Sequence, residues 1–274
     1  MQPVLTDTSS EGMLSALQSD MRAAWASLGR GPNCELFEAP ELTRLFTGIP
    51  LPIYNTVMSL DVSTERADQL IEETLTYYKA KAMPCSWWLG PWTKPVNYDS
   101  RMRRFKPALV EQVPAMAMDL AQLPDMPPLP PGLVIEEVLD DRSLRDYVVV
   151  DFDSFGFNAS HVDRMLEILQ GIGYGPDRLW RHFKASRDGQ HVGNASLFTG
   201  AGAAGLYSVG TVPAARRQGI ATAIVLRVLG EARRWGYRVS TLQASTLGQA
   251  IYERIGFREY ATIDLYEWHP PAGS

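Results

Sequence analysis

Val212-Pro-Ala-Ala-Arg-Arg-Gln-Gly-Ile-Ala221 joins two segments of different periodicity. Before it, Gly205 to Val212 reads as a strand; after it, Gln218 to Trp235 reads as a long helix, with Ile220, Ile224 and Val228 on one stripe and Ala221, Val225 and Leu229 beside it. A helix that starts straight after a strand leaves its first amides without intrahelical acceptors, and the helix dipole favours an anion at that end. Gly219 permits close approach of the backbone to such a ligand, Ala221 keeps the loop-to-helix packing small, and Arg216 or Arg217 can add charge-assisted bonds. A pyrophosphate suits this chemistry.

Downstream, Val239 to Ala244 is a strand containing Leu242-Gln-Ala and leading to Ser245. Leu247 to Ile255 is a helix that Gly256 ends, and Ala261 to Trp268 is a last strand. Upstream, Leu133 to Val138 is a strand, and Arg142 to Phe155 and His161 to Ile172 are helices separated by the turn-prone Gly156-Phe-Asn-Ala159. Strands at Trp180 to Ser186 and Val192 to Thr199 follow, joined by the hairpin Arg187-Asp-Gly-Gln190. The class is mixed α/β.

The order strand, Val-x-Pro, Arg-x-x-Gly-x-Ala, long helix, strand, short helix bearing Ile251-Tyr-Glu-Arg-Ile-Gly-Phe257 resembles the GNAT acetyltransferase superfamily, from Leu133 to Trp268. The resemblance implies a mostly antiparallel sheet flanked by helices and acetyl-CoA as co-substrate, with no metal. In that family the strand before the phosphate loop splays from its neighbour and its backbone pairs with the pantetheine arm, a role that falls on Gly210, Thr211 and Val212. The pyrophosphate then meets the loop Arg216, Arg217, Gln218, Gly219, Ile220, Ala221 and Thr222. Family members often carry an asparagine where Ser245 stands, contacting the CoA arm; a hydroxyl offers donor and acceptor with shorter reach. Tyr252 stands where a family tyrosine can protonate the departing thiolate. Phe152, Phe155 and Phe157 belong to the segment that commonly walls the acceptor site, and helix packing is the alternative use of these side chains.

Direct attack of a neutral amine on the thioester needs an acid for the thiolate and a base or water for the amine proton. Val192 to Val212 contains no Asp or Glu, so the base stays open between His182, His191, Glu267, Asp151 and Asp153, each of which has a plain reading as a solvated or turn residue. The function expected is N-acetyl transfer to a primary amine of a small molecule or peptide; the alternative is a non-catalytic acyl-CoA-binding regulatory module.

The bulk properties narrow the setting. With 274 residues, 45% hydrophobic and 21% charged, the chain has the composition of a globular protein large enough for two domains. Its formal charge of −5 lacks the basic excess of a nucleic-acid binder. Cys34 and Cys85 form no metal-ligand spacing, and neither a leader nor a membrane span is read, so the expectation is a cytoplasmic monomer or homodimer. Leu123-Pro-Asp-Met-Pro-Pro-Leu-Pro-Pro-Gly132 opposes helix and divides the chain into residues 1–123, a linker at 124–132, and residues 133–274. In the first part, helices are expected at Gly12 to Leu28, Thr64 to Met83 with Ser63 or Thr64 as N-cap, and Asp99 to Phe105. Strands are expected at Ile53 to Val62, Cys85 to Leu89 and Pro114 to Leu120. That order echoes the second half of a GNAT domain without its phosphate loop, and Ser86-Trp-Trp-Leu-Gly-Pro91 resembles a segment found ahead of complete GNAT domains in bacterial two-part members. A smaller, degenerate GNAT-like α/β domain is therefore expected before the catalytic one.

Overall fold

In the computed structural model, which describes residues 3–59 and 61–271, local signals set most element boundaries. Helix α1 (Ser10–Leu28) buries Met13, Leu17, Met21 and Ala24. Strands β1 (Glu35–Glu38), β2 (Leu42–Phe46) and β3 (Thr56–Ser59) precede α2 (Thr64–Ala80), whose N-cap Ser63 accepts the Arg66 amide at 3.3 Å. Then come β4 (Cys85–Leu89), α3 (Tyr98–Phe105), β5 (Ala108–Asp119), β6 (Leu133–Glu137), α4 (Asp141–Phe155) and α5 (Val162–Ile172). Strands β7 (Trp180–Arg187), β8 (Gln190–Phe198) and β9 (Ala204–Thr211) lead to α6 (Ile220–Arg234), β10 (Val239–Gln243), α7 (Gln249–Ile255) and β11 (Arg258–Trp268).

Several segments depart from the sequence expectation, among them β5, which begins at Ala108 rather than Pro114, and α2, which ends at Ala80 rather than Met83. Among the described residues of the run Ile53 to Val62, the strand is Thr56–Ser59, because Pro52–Tyr54 forms a 3-10 turn braced by Asn55. The Asn55 amide donates to the Ile49 carbonyl at 2.8 Å and its Oδ1 accepts the Thr47 amide at 3.2 Å, local bonds that compete with a ladder. Strands β1 and β2 carry no strong signal of their own; β1 is mostly exposed and lacks the alternation of a half-buried strand.

The chain folds into two compact units that do not follow its linear order. The first takes the chain up to Ala24 together with Ala115–Tyr260, and the second takes Trp25–Pro114 together with the chain from Ala261 on. The compact units thus cut the chain differently from a division at the proline-rich segment. Strand β5 delivers Ala115–Asp119 to the first unit, where they pair antiparallel with β10, and β11 delivers Asp264–Trp268 to the second, where they pair antiparallel with β4. Composition along the chain carries no mark of such an exchange.

The first unit has strand order β5-β10-β9-β8-β7-β6, antiparallel except for β9 with β10. Its faces are read off β8. Gly193, Ala195 and Leu197 meet the core beneath α6, which contains Ile220, Ile224, Val228, Phe183 and Leu206. Asn194 and Ser196 point the other way, to Asp151 and Tyr147 of α4. The second unit has order β1-β2-β3-β4-β11, antiparallel except for β3 with β4, over a core of Ile71, Tyr78, Trp87, Met102 and Tyr266. The mixed, mostly antiparallel α/β class holds for both.

Candidate functional site

The decisive geometry is a strand that loses its neighbour. Among the described residues, strands β9 and β10 pair in parallel at Ala204 with Ser240 and Gly205 with Thr241, after which β9 runs on from Leu206 to Thr211 with no strand on that edge. Its other edge stays on β8 as far as Thr211 opposite Gly193. Between Tyr207, opposite Ser196, and Gly210, opposite Asn194, β9 holds one extra residue, and Ser208 takes φ +48° in this bulge. Asn194 steadies the bulge by donating to the Ser208 carbonyl at 2.8 Å and to Asp151 at 2.7 Å. A wedge with an unpaired strand edge therefore opens beyond Gly205 and Thr241.

At the wide end of the wedge stands the N-terminus of α6. Gly219 occupies its N-cap with φ +78° and no side-chain cap, and Arg217 is also left-handed at φ +63°. Ala223 is the first amide of α6 to bond a backbone acceptor, the Gly219 carbonyl at 3.0 Å. The preceding helical amides, of Ile220, Ala221 and Thr222, have no hydrogen-bond partner among the described residues. A Cβ on Gly219 meets nothing closer than Pro130 at 3.9 Å, so the left-handed backbone is what calls for glycine there.

The two arginines divide the work. Arg216 is a strut: its Nε donates to the Thr211 carbonyl at 3.2 Å and its Nη2 to the Ser154 carbonyl at 2.8 Å, tying the loop to β9 and to the end of α4. Gln218 bonds Arg187 and the Ala214 carbonyl. Arg217 is exposed and has no partner among the described residues.

Tyr252 lies on α7 with its ring edge-on to Phe257, 5.9 Å between centroids, and only 9% exposed. Its hydroxyl bonds nothing among the described residues, and burial raises its pKa above the ordinary tyrosine value. Ser245 is exposed and accepts the Gly248 amide at 3.2 Å, so it serves as a turn residue before α7 while its hydroxyl proton stays free to donate.

The structure separates the expected acceptor wall. Phe152 is a core residue at 1% exposure, whereas Phe155 is 45% exposed and stacks on Phe157 at 5.8 Å. The base candidates separate as well. His182 is buried, with Nδ1 2.7 Å from Ser196 Oγ, and burial depresses its pKa to about 3, so it is neutral at working pH. His191 sits between Ser186 at 2.8 Å and Asp146 at 3.0 Å, Asp153 is exposed, and Glu267 belongs to the second unit beside His269. Asp151 is buried, and desolvation raises its carboxyl to about 7 against the hydrogen bonds of Asn194 and Ser208.

One acid escaped the sequence reading. Asp20 of α1 is fully buried, with Oδ2 2.7 Å from the Tyr207 hydroxyl and 2.8 Å from Thr241 Oγ1. Desolvation raises its carboxyl to about 7 although both hydrogen bonds pull the other way. The sequence does hold a signal: Met13, Ala16, Leu17, Met21 and Ala24 recur at helical spacing, and an aspartate stands inside that apolar stripe.

Residues 178–259, which span β7 to the start of β11, match the acetyltransferase (GNAT) domain family. That segment is similar to a GNAT domain. Solved GNAT structures extend the likeness over nearly the whole chain. A GCN5-related N-acetyltransferase from Kribbella flavida superposes with a TM-score of 0.70 at 17% identity, covering 94% of this chain and 96% of that one. A tandem GNAT protein from the clavulanic acid biosynthesis pathway gives 0.61 at 15% identity, covering 99% and 98%. A GCN5-related N-acetyltransferase from Sphaerobacter thermophilus gives 0.62 at 19%, covering 84% and 80%. At these identities the likeness is one of fold, and it agrees with a two-part GNAT architecture. None of the curated proteins compared matches the sequence.

Proposed function

We propose that the first unit transfers an acetyl group from acetyl-CoA to a primary amine of a small molecule or peptide by direct attack. The observation that carries the reading is the wedge between β9 and β10 with the uncapped N-terminus of α6 at its wide end. An extended arm with amide groups can pair along the unpartnered edge of Leu206 to Thr211, including Gly210 and Thr211, with Val212 at its exit. The amides of Arg217 to Thr222 and the exposed Arg217 guanidinium fit a pyrophosphate, Ala221 keeps the first helical turn narrow, and Arg216 and Gln218 hold the loop in place. Ser245 can donate to the arm.

In the reaction the amine nitrogen forms a bond to the thioester carbonyl carbon and the C–S bond breaks. Tyr252 gives its proton to the departing sulfur; its pKa, raised by burial, keeps the hydroxyl protonated until the thiolate forms. Phe155 and Phe157 offer an apolar wall to the acceptor, with Phe152 behind them in the core. No helix among the described residues is long and apolar enough to cross a membrane, and the reading places the enzyme in the cytoplasm, as a monomer or homodimer acting without metal.

Calorimetric titration with acetyl-CoA, followed by a thiol-release assay against primary amines, tests the proposal. Binding with amine-dependent release is expected. Binding without release points to a regulatory acyl-CoA module, and lack of binding removes the reading.

A further inference from the structure

The wedge has a closed end as well as an open one, and a buried acid sits over the closed end. With the pyrophosphate at α6, beside Thr211, an arm following β9 back toward the vertex crosses the six residues Leu206–Thr211. At about 3.3 Å per residue this is roughly 20 Å of strand, the scale of an extended pantetheine arm. The reacting carbonyl then falls near Gly205 and Thr241, where the pairing of β9 with β10 stops.

Over that vertex lies Asp20. Its Oδ2 is only 2.1 Å from where a Cβ on Gly205 would stand, so the missing side chain makes the room for the carboxylate. Thr241, across the vertex on β10, bonds the same oxygen, and Tyr207, two residues along β9 from Gly205 and on the same face, donates its hydroxyl to it. The other oxygen, Oδ1, is buried with no hydrogen-bond partner among the described residues. A carboxylate buried on this scale is ordinarily matched by a cation, and no ion pair joins Asp20 among the described residues.

Resting on the acetyl-transfer reading, we infer that Asp20 is the terminal acceptor of the proton that the amine loses on attack, reached through the Tyr207 hydroxyl. As the C–N bond forms and the C–S bond breaks, the amine proton passes to Tyr207 Oη while the proton of Tyr207 passes to Asp20 Oδ2. Tyr252 supplies the proton that the thiolate gains. One proton is taken up and one given, and exchange with water restores both groups.

Asp151 is the rival acid, and its geometry serves a different purpose. It accepts from Asn194, which lies against Gly210 at the bulge, so it braces β9 part-way along the arm and away from the vertex. Of the groups around Asp20, Tyr207 is the titratable one from β9, and β10 contributes the neutral Thr241. His182 lies one ring further off, stacked on Trp180, and is neutral above about pH 3. On α1 itself Arg22 is about 200° round the helix and Glu11 more than two turns away.

The test compares wild type with Asp20→Asn, which keeps an oxygen to accept from Tyr207 and Thr241 and cannot take the proton. Acetyl-CoA affinity is measured by calorimetry, and thiol release is measured across pH with tyramine, glucosamine and spermidine as acceptors. Wild-type kcat/KM is expected to rise with pH through about 7 as Asp20 ionises. Asp20→Asn is expected to lose that rise and about 100-fold in turnover, with unchanged acetyl-CoA affinity. Tyr207→Phe is expected to slow turnover as well while still binding acetyl-CoA. An Asp20→Asn enzyme that keeps the rise, or that loses acetyl-CoA binding together with activity, overturns the assignment and leaves the acetyltransferase reading in place. Wild type that releases no thiol with any of the amines removes that reading, and the inference with it.

Discussion

Two helices of this chain begin in the same topological place and end up with opposite chemistry. Helix α6 connects the parallel pair β9 and β10, and α2 connects the parallel pair β3 and β4. The start of α6 is open, with left-handed Gly219 as an N-cap that offers no side chain and the unpaired Arg217 nearby. The start of α2 is closed. Ser63 accepts the Arg66 amide, Glu65 brings a negative charge into the first turn, and Asp68 is held by Arg101 at 2.7 Å and by Arg104. A helix start that already has its acceptor and its anions has nothing to offer a pyrophosphate. The short helices that follow diverge in the same way. The fourth residue of α7 is Tyr252 with an unbonded hydroxyl, and the fourth residue of α3 is the ion-paired Arg101.

Substitutions can break or sharpen this contrast. Gly219→Val forces a β-branched residue to φ +78° and displaces the unpaired amides. Charge-assisted hydrogen bonds are worth roughly 1.5–3 kcal/mol each, so losing two predicts a fall of about 100-fold or more in acetyl-CoA affinity by calorimetry. Unchanged affinity would remove α6 from the site.

The second prediction concerns buried charge. Among the described residues the buried acids are Asp20 and Asp151, both in the first unit. For Asp20 the folded-state pKa of about 7 lies above the ordinary 3.8. Below the lower value both states are protonated and nothing is lost. Between the two the unfolded chain releases a proton that the folded chain retains, so this contribution to stability falls as pH rises, and it stays low above about 7. At roughly 1.4 kcal/mol per pH unit of that window, Asp20→Asn should gain a few kcal/mol relative to wild type above neutrality and far less in acid. Urea unfolding of both proteins at acidic and alkaline pH measures it; an equal difference at both would mean that the carboxyl titrates normally.

Tyr252→Phe comes next, with turnover expected to fall about 100-fold and acetyl-CoA affinity to stay the same, because only the proton donor is removed. An unchanged rate would return Tyr252 to a packing role. Smallest is Ser63→Ala at the closed helix: about 1 kcal/mol less stable by denaturant midpoint, with acetyl-CoA affinity unaffected.

How much of this was legible differs by scale. Helices α1, α2, α4 and α6 and the strands of the first unit stood in the sequence because each repeats apolar residues at its own period over many positions. The loop before α6 was readable because a strand, a glycine and a helix start follow one another directly along the chain. Strands β1 and β2 were not, since each is only four or five residues long and neither alternates: β1 is mostly exposed and β2 mostly buried. The assignment of Phe152 to the core and Phe155 to the surface also needed the fold, as all three phenylalanines share one helix end and its turn.

The sequence by itself thus determined the mixed α/β class, the strand-to-helix junction around Gly219 and the helical placement of Tyr252, all of which depend on neighbours within a turn or two. Tertiary structure alone decided where the units divide, which arginine is a strut, and what surrounds Asp20. Each of these rests on pairings between distant segments: β5 with β10, Arg216 with Ser154, and Asp20 with Tyr207 and Thr241. Desolvation, which sets the proton affinity of Asp20, is a property of everything packed around the carboxyl and exists only once those segments have met.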